Sequence, residues 1–418
     1  MEEFDIENVR ARWVLDSRGN PTVEAEVFVG DIVGRAIVPS GASKGKREAV
    51  ELRDEGKAFH GKGVSKAVGN VNEIIAPAIK GMDVRMQEEI DKKMIEIDGT
   101  GNKSNLGANA ILAVSLACAR AASMLLSKPL YEYLGDGKLL PVPFMNVING
   151  GEHAGNELAI QEHMIAPVGA STFREAVQMN SEVYQTMKEL IKKRYGKGGI
   201  NVGDEGGFAP PLKSSEEAFE IILDAIEENG YGGKIKLAID SAATSFYENG
   251  FYYMQGKLST DDLLNFYEEM AGKYPIILME DPFAEEDWDG FIAITEILGK
   301  KIHIVGDDIF VTNKKLVEKG IERHACNALL LKPNQIGTLT ESIEVAKYCF
   351  RNGYGVMVSH RSGDTCDTFI SDLTVALATG KIKSGAPCRA ERTEKYNRLM
   401  RIEEELGENA VYQKNRLI

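Results

Sequence analysis

The strongest constraint on the fold is a repeat in the C-terminal half, where short apolar runs alternate with amphipathic stretches of helical length. The runs are short enough for buried strands, and each ends in ionisable residues. They are KLAIDS at Asp240, IILMED at Glu280, IHIVGDD at Asp307, ALLLKPN at Lys332 and YGVMVSHRS at His360. Their ends lie 25 to 40 residues apart, which is enough for a crossover helix between parallel strands. This spacing favours a β/α barrel; a doubly wound open sheet is the alternative, because spacing alone does not close a barrel.

The ionisable strand ends predict the position of an active site, because the carboxyl ends of barrel strands share one face. Asp240, Glu280 and Asp307 end three consecutive predicted strands, and converging carboxylates repel one another unless a cation lies between them. Oxygen ligands suit Mg²⁺, Mn²⁺ or Ca²⁺ better than zinc. The other reading is that these carboxylates cap the helices that follow.

The next strand ends supply cationic groups. A divalent cation nearby would lower the pKa of Lys332, and a neutral lysine is a general base or a Schiff-base nucleophile. The other reading of Lys332 is a rim lysine whose amine reaches water. Arg361 and Ser362 are suited to a phosphate group. Glu205 lies between glycines in GDEGGFAPP, which makes it a candidate carboxyl group facing a cavity.

The N-terminal third has the pattern of a smaller α+β region. Alternation in 21–30 predicts a strand, and a second strand over 34–40 would complete a hairpin. Helical patterns dominate from 65 to 126. The apolar segment 108–126 contains an arginine and many small residues, which favours a packed soluble helix over a membrane span. Proline and glycines in 127–138 predict a boundary.

One glycine-rich segment, SGASKGK at 40–46, resembles a phosphate-binding loop but lacks the first glycine of the P-loop pattern. A flexible lid and an ordinary surface turn are both compatible with it.

Charge and cysteine content limit the function classes. The chain has 418 residues and a formal net charge of −14, which disfavours nucleic acid and anionic membranes as partners. Its five cysteines form no CxxC pair, which favours reduced thiols. The N-terminal stretch MEEFDIENVR lacks an apolar signal core. A cytoplasmic location is therefore expected.

Nine segments together resemble the enolase family over essentially the whole chain. They are LDSRGNPTVE, VPSGASKGKRE, NVINGGEHAGNELAIQE, GDEGGFAP, MEDPF, GDDIFVTN, LLLKPNQIGTLTE, SHRSGDT and SGAPCRAER. The resemblance implies an α/β enolase fold, in which a smaller α+β domain (1–130, with a lid loop at 38–46) precedes a β/α barrel (138–418) that carries the active site.

The resemblance also implies a reaction, the Mg²⁺-dependent reversible dehydration of 2-phosphoglycerate to phosphoenolpyruvate in glycolysis and gluconeogenesis. By family position, Lys332 is the base at carbon 2, and Glu205, supported by Glu162, is the acid at the carbon-3 hydroxyl. The other implied substrate-binding residues are His153, His360, Arg361, Ser362 and Lys383. The implied ligands of the first Mg²⁺ are Asp240, Glu280 and Asp307. Ser40 would ligate a second Mg²⁺ that arrives with the substrate, so that each active site would take two.

Family members are at least dimers and some are octamers, so a homodimer or homo-octamer is expected. A secondary cell-surface or secreted pool, as in some relatives, is compatible with the resemblance. His163 stands where many relatives have Phe; a satisfied core histidine is the expected reading, and a modest effect on activity near neutral pH is the alternative.

Two other functions are compatible with parts of the pattern. A different enolising enzyme would usually lack the full set of Ser40, Arg361 and Ser362. A catalytically idle structural or interaction protein on the same fold would be expected to have lost a metal ligand or Lys332.

Overall fold

The N-terminal region is an antiparallel three-stranded sheet with helices packed on it. The computed structural model describes residues 3–42 and 45–412. The strands are β1 (Asn8–Leu15), β2 (Pro21–Val29) and β3 (Ile32–Ile37), in that order across the sheet. The helices are α1 (Ser65–Asn70), α2 (Ala76–Ile79), α3 (Gln87–Asp98), α4 (Ala108–Leu125) and α5 (Leu130–Leu134). The predicted hairpin is present as β2 and β3, whereas β1 and the short α5 inside the expected boundary segment were not predicted.

Helix α4 forms the core of this region. It is rich in alanine, and most of its side chains are buried against β2, β3 and α3. By length and composition it could cross a membrane, but 83% of its apolar window is buried inside the protein, as in a core helix of a soluble protein. Small side chains allow β3 to approach closely, and Gly34 lies directly against the backbone of α4.

The remainder of the chain forms a closed eight-stranded barrel. The strands, in order around the ring, are β4 (Val142–Asn149), β5 (Glu162–Ala166), β6 (Lys236–Asp240), β7 (Ile276–Glu280), β8 (His303–Gly306), β9 (Ala328–Leu331), β10 (Gly355–Ser359) and β11 (Lys381–Lys383). All five strands expected from the sequence repeat, β6 to β10, are present. The β/α barrel is therefore confirmed, and the open-sheet alternative is wrong.

The direction of one strand departs from the expected parallel repeat. β5 pairs antiparallel with both β4 and β6, whereas the other neighbours around the ring are parallel. The segment between β4 and β5, 150–161, holds only a short 3₁₀ turn and no crossover helix. Without a crossover the chain returns in the opposite direction, as in a hairpin.

Helices surround the barrel. They are α6 (Phe173–Tyr195), α7 (Ser215–Glu228), α8 (Thr260–Lys273), α9 (Trp288–Leu298), α10 (Lys314–Arg323), α11 (Pro333–Ile336), α12 (Leu339–Arg351), α13 (Phe369–Ala376) and α14 (Ala390–Leu406). α6 and α7 pack together as a hairpin, and their N-caps are the hydroxyls of Thr172 and Ser214. Short strands Tyr247–Glu248, Phe251–Tyr253 and Lys257–Leu258 form a small sheet, and Leu139–Leu140 pairs with Val411–Tyr412.

The N-terminal region lies against the carboxyl ends of the barrel strands. The partly buried Asp367 accepts two hydrogen bonds from Arg120 of α4, at 2.6 and 2.7 Å, and a third from the backbone of β3. Ser40 and Gly363 exchange backbone hydrogen bonds at 2.7 and 2.8 Å. The segment after β3 is therefore held beside the loop that follows β10.

The close approach at Gly34 predicts a stability effect. A Cβ added there would overlap with the backbone of Ala117 and Ala121 in α4. Gly34→Ala should therefore lower the free energy of unfolding by about 1–3 kcal/mol, the usual cost of overpacking. Gly69→Ala in α1 is the matched control, because nothing lies within 4 Å of its added methyl, and it should raise the stability by about 0.5–1 kcal/mol. Denaturant unfolding followed by circular dichroism measures both; equal stability of Gly34→Ala and the parent would show that this contact is not tight.

Candidate active site

A polar cavity lies at the carboxyl ends of the barrel strands, where the sequence predicts the active site. The predicted residues that line it are His153, Glu162, Glu205, Asp240, Asp307, Lys332, His360, Arg361, Ser362 and Lys383. Glu280 is fully buried beside them. Residues more than 200 positions apart in the chain therefore converge because strand ends meet on one face of the barrel.

Lys383 lies at the centre of this group. Its Nζ is 2.8 Å from both carboxylate oxygens of Glu280, 2.9 Å from Asp240 and 3.2 Å from Glu162. Burial alone would lower the pKa of Lys383, but the three carboxylates outweigh it and hold that pKa well above its ordinary value. A single ammonium group thus contacts carboxyl groups from three strands, β5, β6 and β7.

Lys332 forms a second ion pair, with Asp307. Its Nζ lies 2.5 Å from Asp307 Oδ2, while Oδ1 accepts a hydrogen bond of 2.8 Å from Gln335. Burial would lower the pKa of Lys332, but Asp307 outweighs it and raises that pKa above its ordinary value. The sequence-based expectation of a lowered pKa assumed a divalent cation nearby; in the ion pair described here the shift has the opposite sign.

The donor set fits a hard divalent cation. Asp240, Glu280 and Asp307 offer oxygens only, and the position of the Lys383 ammonium shows that two of them already converge on a positive centre. Among the described residues, two groups of three have ligand atoms within 4.8 Å of one another: His153 with Glu162 and Glu205, and the three carboxylates of Asp281, Asp307 and Asp308. Asp281 is occupied as a backbone acceptor, because it takes the N–H groups of Asp307 and Asp308 at 2.8 Å each. The predicted trio is more widely spread than the three-carboxylate cluster, with Lys383 between Asp240 and Glu280 and Lys332 beside Asp307.

Glu162 and Glu205 face each other across His153. His153 Nδ1 is 3.9 Å from Glu162 and 3.7 Å from Glu205. Burial and then the proximity of Glu205 raise the pKa of Glu162 well above its ordinary range. Burial would also raise the pKa of Glu205, but His360 and His153 outweigh it and hold that pKa well below its ordinary range. Of the two carboxyls, Glu162 is therefore the one that is more readily protonated.

Arg392 of α14 is a site residue that sequence reasoning missed. Its buried guanidinium donates hydrogen bonds of 2.6 Å to His360 Nδ1 and to the carbonyl oxygens of Arg361 and Ser362. A guanidinium can only donate, so Nδ1 accepts and the ring proton is on Nε2. That Nε2 lies 3.2 Å from Glu205 Oε1. Burial lowers the pKa of His360 to about 4, so the ring is neutral at pH 7.

Glu48 is a second missed residue, contributed by the N-terminal region. Its two carboxylate oxygens each lie 3.1 Å from a nitrogen of Arg361, and Asn334 accepts a further hydrogen bond of 3.2 Å. A bidentate pair of this kind fixes the plane of the guanidinium. A signal existed in the sequence, since Glu48 closes the quoted segment VPSGASKGKRE, but no spacing rule pairs it with Arg361.

The predicted lid, 38–46, is only partly described, because residues 43 and 44 lie outside the described part of the chain. Ser362 accepts a hydrogen bond of 2.6 Å from the backbone of Ala42. The Ser40 hydroxyl accepts a hydrogen bond of 2.9 Å from Arg53. The described contacts do not bring that hydroxyl to the carboxylates of the cavity, so the second-metal role of Ser40 stays a prediction.

His163 is a core histidine, as expected. It follows Glu162 on β5, and its side chain points away from the barrel interior toward α7, where its Nε2 is 2.9 Å from Ser215 Oγ. Its ring packs edge-on against Phe219, with ring centroids 5.3 Å apart. Burial lowers its pKa to about 4.

A closed β/α barrel with acids, lysines and an arginine at its strand ends is typical of a barrel enzyme that acts on a small anionic molecule. Comparison with known proteins identifies the family within this class of enzymes. Family models match residues 6–134, described as "Enolase, N-terminal domain", and residues 137–418, described as "Enolase, C-terminal TIM barrel domain".

Curated relatives agree over nearly the whole chain. The chain is 59% identical to "Enolase" of Methanocaldococcus jannaschii, over 97% of this chain and 96% of that relative. It is 60% identical to "Enolase" of Thermococcus gammatolerans and 58% identical to "Enolase" of Pyrococcus furiosus, each over 98% of this chain and 97% of the relative. The chain therefore belongs to the enolase family and is an enzyme of the lyase class, which confirms the resemblance drawn from its motifs and the predicted fold.

The buried His163 predicts a pH dependence of stability. Its pKa is about 4 in the folded protein and about 6.5 in the unfolded chain, so the unfolded chain binds more protons between these values and stability falls as pH decreases through that window. His163→Phe should remove about 2 kcal/mol of the stability loss between pH 7.5 and pH 5.

Denaturant unfolding at several pH values measures this slope. His60→Gln is the control, because His60 is exposed and its replacement should leave the slope unchanged. Identical slopes for His163→Phe and the parent would mean that His163 does not titrate as a buried group.

Proposed function

We propose that this chain catalyses the reversible dehydration of 2-phosphoglycerate to phosphoenolpyruvate, a step of glycolysis and gluconeogenesis. The observation that supports the proposal is that Lys332 and Glu205 line one cavity from opposite sides of the barrel. Lys332 follows β9, and Glu205 lies beside Glu162, the first residue of β5. β5 and β9 are four strands apart in a ring of eight. A substrate between them can lose a proton on one side and a hydroxyl on the other.

The first step assigned to the site is removal of the carbon-2 proton by Lys332. That proton is weakly acidic because its loss adds negative charge to the adjacent carboxylate. Lys383 is positioned to offset this charge electrostatically. To act as a base Lys332 must be neutral, so its ion pair with Asp307 must first be relieved.

The second step is loss of the carbon-3 hydroxyl. Hydroxide is a poor leaving group, so an acid must donate a proton to it. Glu205 is assigned this role, with Glu162 in support; because the pKa of Glu162 is raised and that of Glu205 is lowered, Glu205 would have to receive the proton from its neighbour before donating it. His360, held by Arg392, presents its Nε2 to Glu205 and is positioned to orient it.

Substrate binding is assigned to the remaining cations and hydrogen-bonding groups. Arg361 and Ser362 would bind the phosphate, with Arg361 held in orientation by Glu48. Lys383 would bind the carboxylate. His153 and His360 line the pocket around the reacting carbons.

A metal completes the proposal. Asp240, Glu280 and Asp307 would hold Mg²⁺, and Mn²⁺ suits the same oxygens. When bound, Mg²⁺ supplies positive charge beside the substrate carboxylate. A second Mg²⁺ that arrives with substrate and is ligated by Ser40 belongs to the same proposal.

We infer a cytoplasmic homodimer or homo-octamer whose partner is the small-molecule substrate, with no nucleic-acid or membrane partner. A secondary cell-surface or secreted pool, as in some relatives, is compatible with this. The division into domains 1–130 and 138–418 is part of the same proposal.

Ultraviolet absorbance tests the reaction directly, because phosphoenolpyruvate is conjugated and 2-phosphoglycerate is not. Purified chain with 2-phosphoglycerate and Mg²⁺ should give a steady rise in absorbance, and excess EDTA should stop it. No rise from folded, Mg²⁺-supplied protein would overturn the proposed reaction.

Two variants separate the two steps. Lys332→Ala should lower exchange of the carbon-2 proton with deuterated water by about 10³-fold or more. Glu205→Gln should retain measurable exchange while dehydration falls by about 10²–10⁴-fold, because only the second step loses its acid. Proton NMR in deuterated water measures exchange, and absorbance measures dehydration. Retained exchange in Lys332→Ala, or normal dehydration by Glu205→Gln, would reassign the respective role.

A further inference from the structure

Gln335 is a buried side chain to which the proposed reaction assigns no role. It lies in the short helix α11, which directly follows Lys332, and is 1% exposed. Its backbone N–H donates to the Lys332 carbonyl at 2.9 Å, and its backbone carbonyl accepts a hydrogen bond of 2.8 Å from Ala49 of the N-terminal region. Hydrogen bonds from both regions of the protein therefore hold the backbone from which the Gln335 amide extends.

The orientation of the Gln335 amide follows from its contact with Thr312. The Thr312 hydroxyl accepts a hydrogen bond of 2.9 Å from the backbone N–H of Lys332, and it lies 2.8 Å from Gln335 Oε1. A hydroxyl has one proton to donate. The Leu330 carbonyl, at 3.4 Å, is the more distant acceptor, so that proton is directed to Oε1. The amide oxygen of Gln335 therefore faces Thr312.

The NH₂ group of Gln335 faces two carboxylates. Its Nε2 is 2.8 Å from Asp307 Oδ1 and 3.4 Å from Glu48 Oε1. An ionised carboxylate only accepts hydrogen bonds, so both contacts require the NH₂ group and exclude the flipped amide. Asp307 Oδ2 is left for the cavity, where it lies 2.5 Å from Lys332 Nζ.

Asp240, at the end of β6, has the same arrangement. Its Oδ1 accepts a hydrogen bond of 2.9 Å from the backbone N–H of Ala242, and its Oδ2 lies 2.9 Å from Lys383 Nζ. In both Asp240 and Asp307 an uncharged donor thus holds one oxygen, and a cation contacts the other. The donor to Asp240 is a backbone group, whereas the donor to Asp307 is a side chain that a substitution can remove.

We propose that Gln335 is a positioning residue for the proposed metal site, which holds Oδ1 of Asp307 so that Oδ2 is presented to the cation. The inference rests on the proposed function, because it requires Asp307 to be a metal ligand. Hydrogen bonds to ligating carboxylates orient them, and their loss typically lowers metal affinity by about 10–100-fold. The same amide contacts Glu48, which holds Arg361, and so joins the metal ligand to the group assigned to the phosphate.

Mg²⁺ binding by the full chain tests the proposal, measured by titration calorimetry without substrate after metal has been removed with EDTA and the EDTA dialysed away. Gln335→Met has a similar length but no donor, and it should weaken Mg²⁺ binding by about 10–100-fold. Gln87→Met is the matched control, because Gln87 Nε2 also donates to a buried carboxylate, that of Asp91 at 3.1 Å, but lies in α3 of the N-terminal region. This variant should bind Mg²⁺ like the parent.

Thr312 provides a second pair of variants that leaves Gln335 in place. Thr312→Val keeps the shape of the side chain but removes the hydroxyl that holds Gln335 Oε1, so it should also weaken Mg²⁺ binding. Thr312→Ser keeps the hydroxyl and should bind Mg²⁺ like the parent. A side chain that only fills space would not separate these two variants.

Circular dichroism shows whether each variant is folded. An unchanged Mg²⁺ affinity in folded Gln335→Met would overturn the inference and leave the proposed reaction standing. If Gln335→Met does not fold, equal affinities in Thr312→Val and Thr312→Ser would overturn it. An absence of Mg²⁺ binding by the parent would overturn the proposed metal ligands and, with them, this inference.

Discussion

The structure depends on the balance of buried charge around Lys383. Carboxylates from β5, β6 and β7 meet beneath the cavity, and none of them is more than a few per cent exposed. Without a cation at the centre, their mutual repulsion would act across three neighbouring barrel strands. The ammonium from β11 links strands on both sides of β4, so the same interaction that neutralises the site also ties the ring together. A change that removes the Lys383 ammonium would therefore affect both the charge of the site and the closure of the barrel.

A second set of buried cations holds the loops above this centre. Arg392 fixes the backbone after β10, and Lys395 of the same helix donates hydrogen bonds to Asp364 and to the Thr365 carbonyl. Glu48 then brings the N-terminal region onto Arg361. The groups assigned to substrate binding are thus held by two separate parts of the chain, α14 and the N-terminal segment. Their orientation is set by buried hydrogen bonds, which leaves little rotational freedom to lose when a ligand binds.

The local sequence pattern was sufficient to predict the barrel strands β6 to β10 and the residues at their carboxyl ends. The short apolar runs and the charged residue after each located Asp240, Glu280, Asp307 and Lys332 correctly on one face. The sequence pattern did not predict the direction in which the strands pair. β5 is antiparallel because the connection before it contains no crossover helix, and its own residues do not indicate this direction. The positioning roles of Arg392 and Glu48 were not predicted either. In the segments AERTEKYN and KREAVE, these charged residues have the same local pattern as charges on a solvated helix or loop. Only tertiary contacts distinguish a buried positioning charge from a surface one.

The reversed direction of β5 determines how Glu205 and Lys332, the proposed acid and base, are connected to the barrel. Because β5 runs from the catalytic face to the opposite end of the barrel, its floor, the chain must leave the floor and return to it before β6 can start, and α6 and α7 make that excursion. Glu205 lies in the connection between them, where Phe208 exchanges backbone hydrogen bonds with Val147 and Asn149 of β4, whereas Lys332 directly follows a barrel strand. The proposed proton donor is thus held by a connection that runs along β4, and the proposed proton acceptor by a strand of the barrel itself. A change in the length of the connection between α6 and α7 would therefore displace Glu205 and leave Lys332 in place, so the two proposed roles depend on separate parts of the chain.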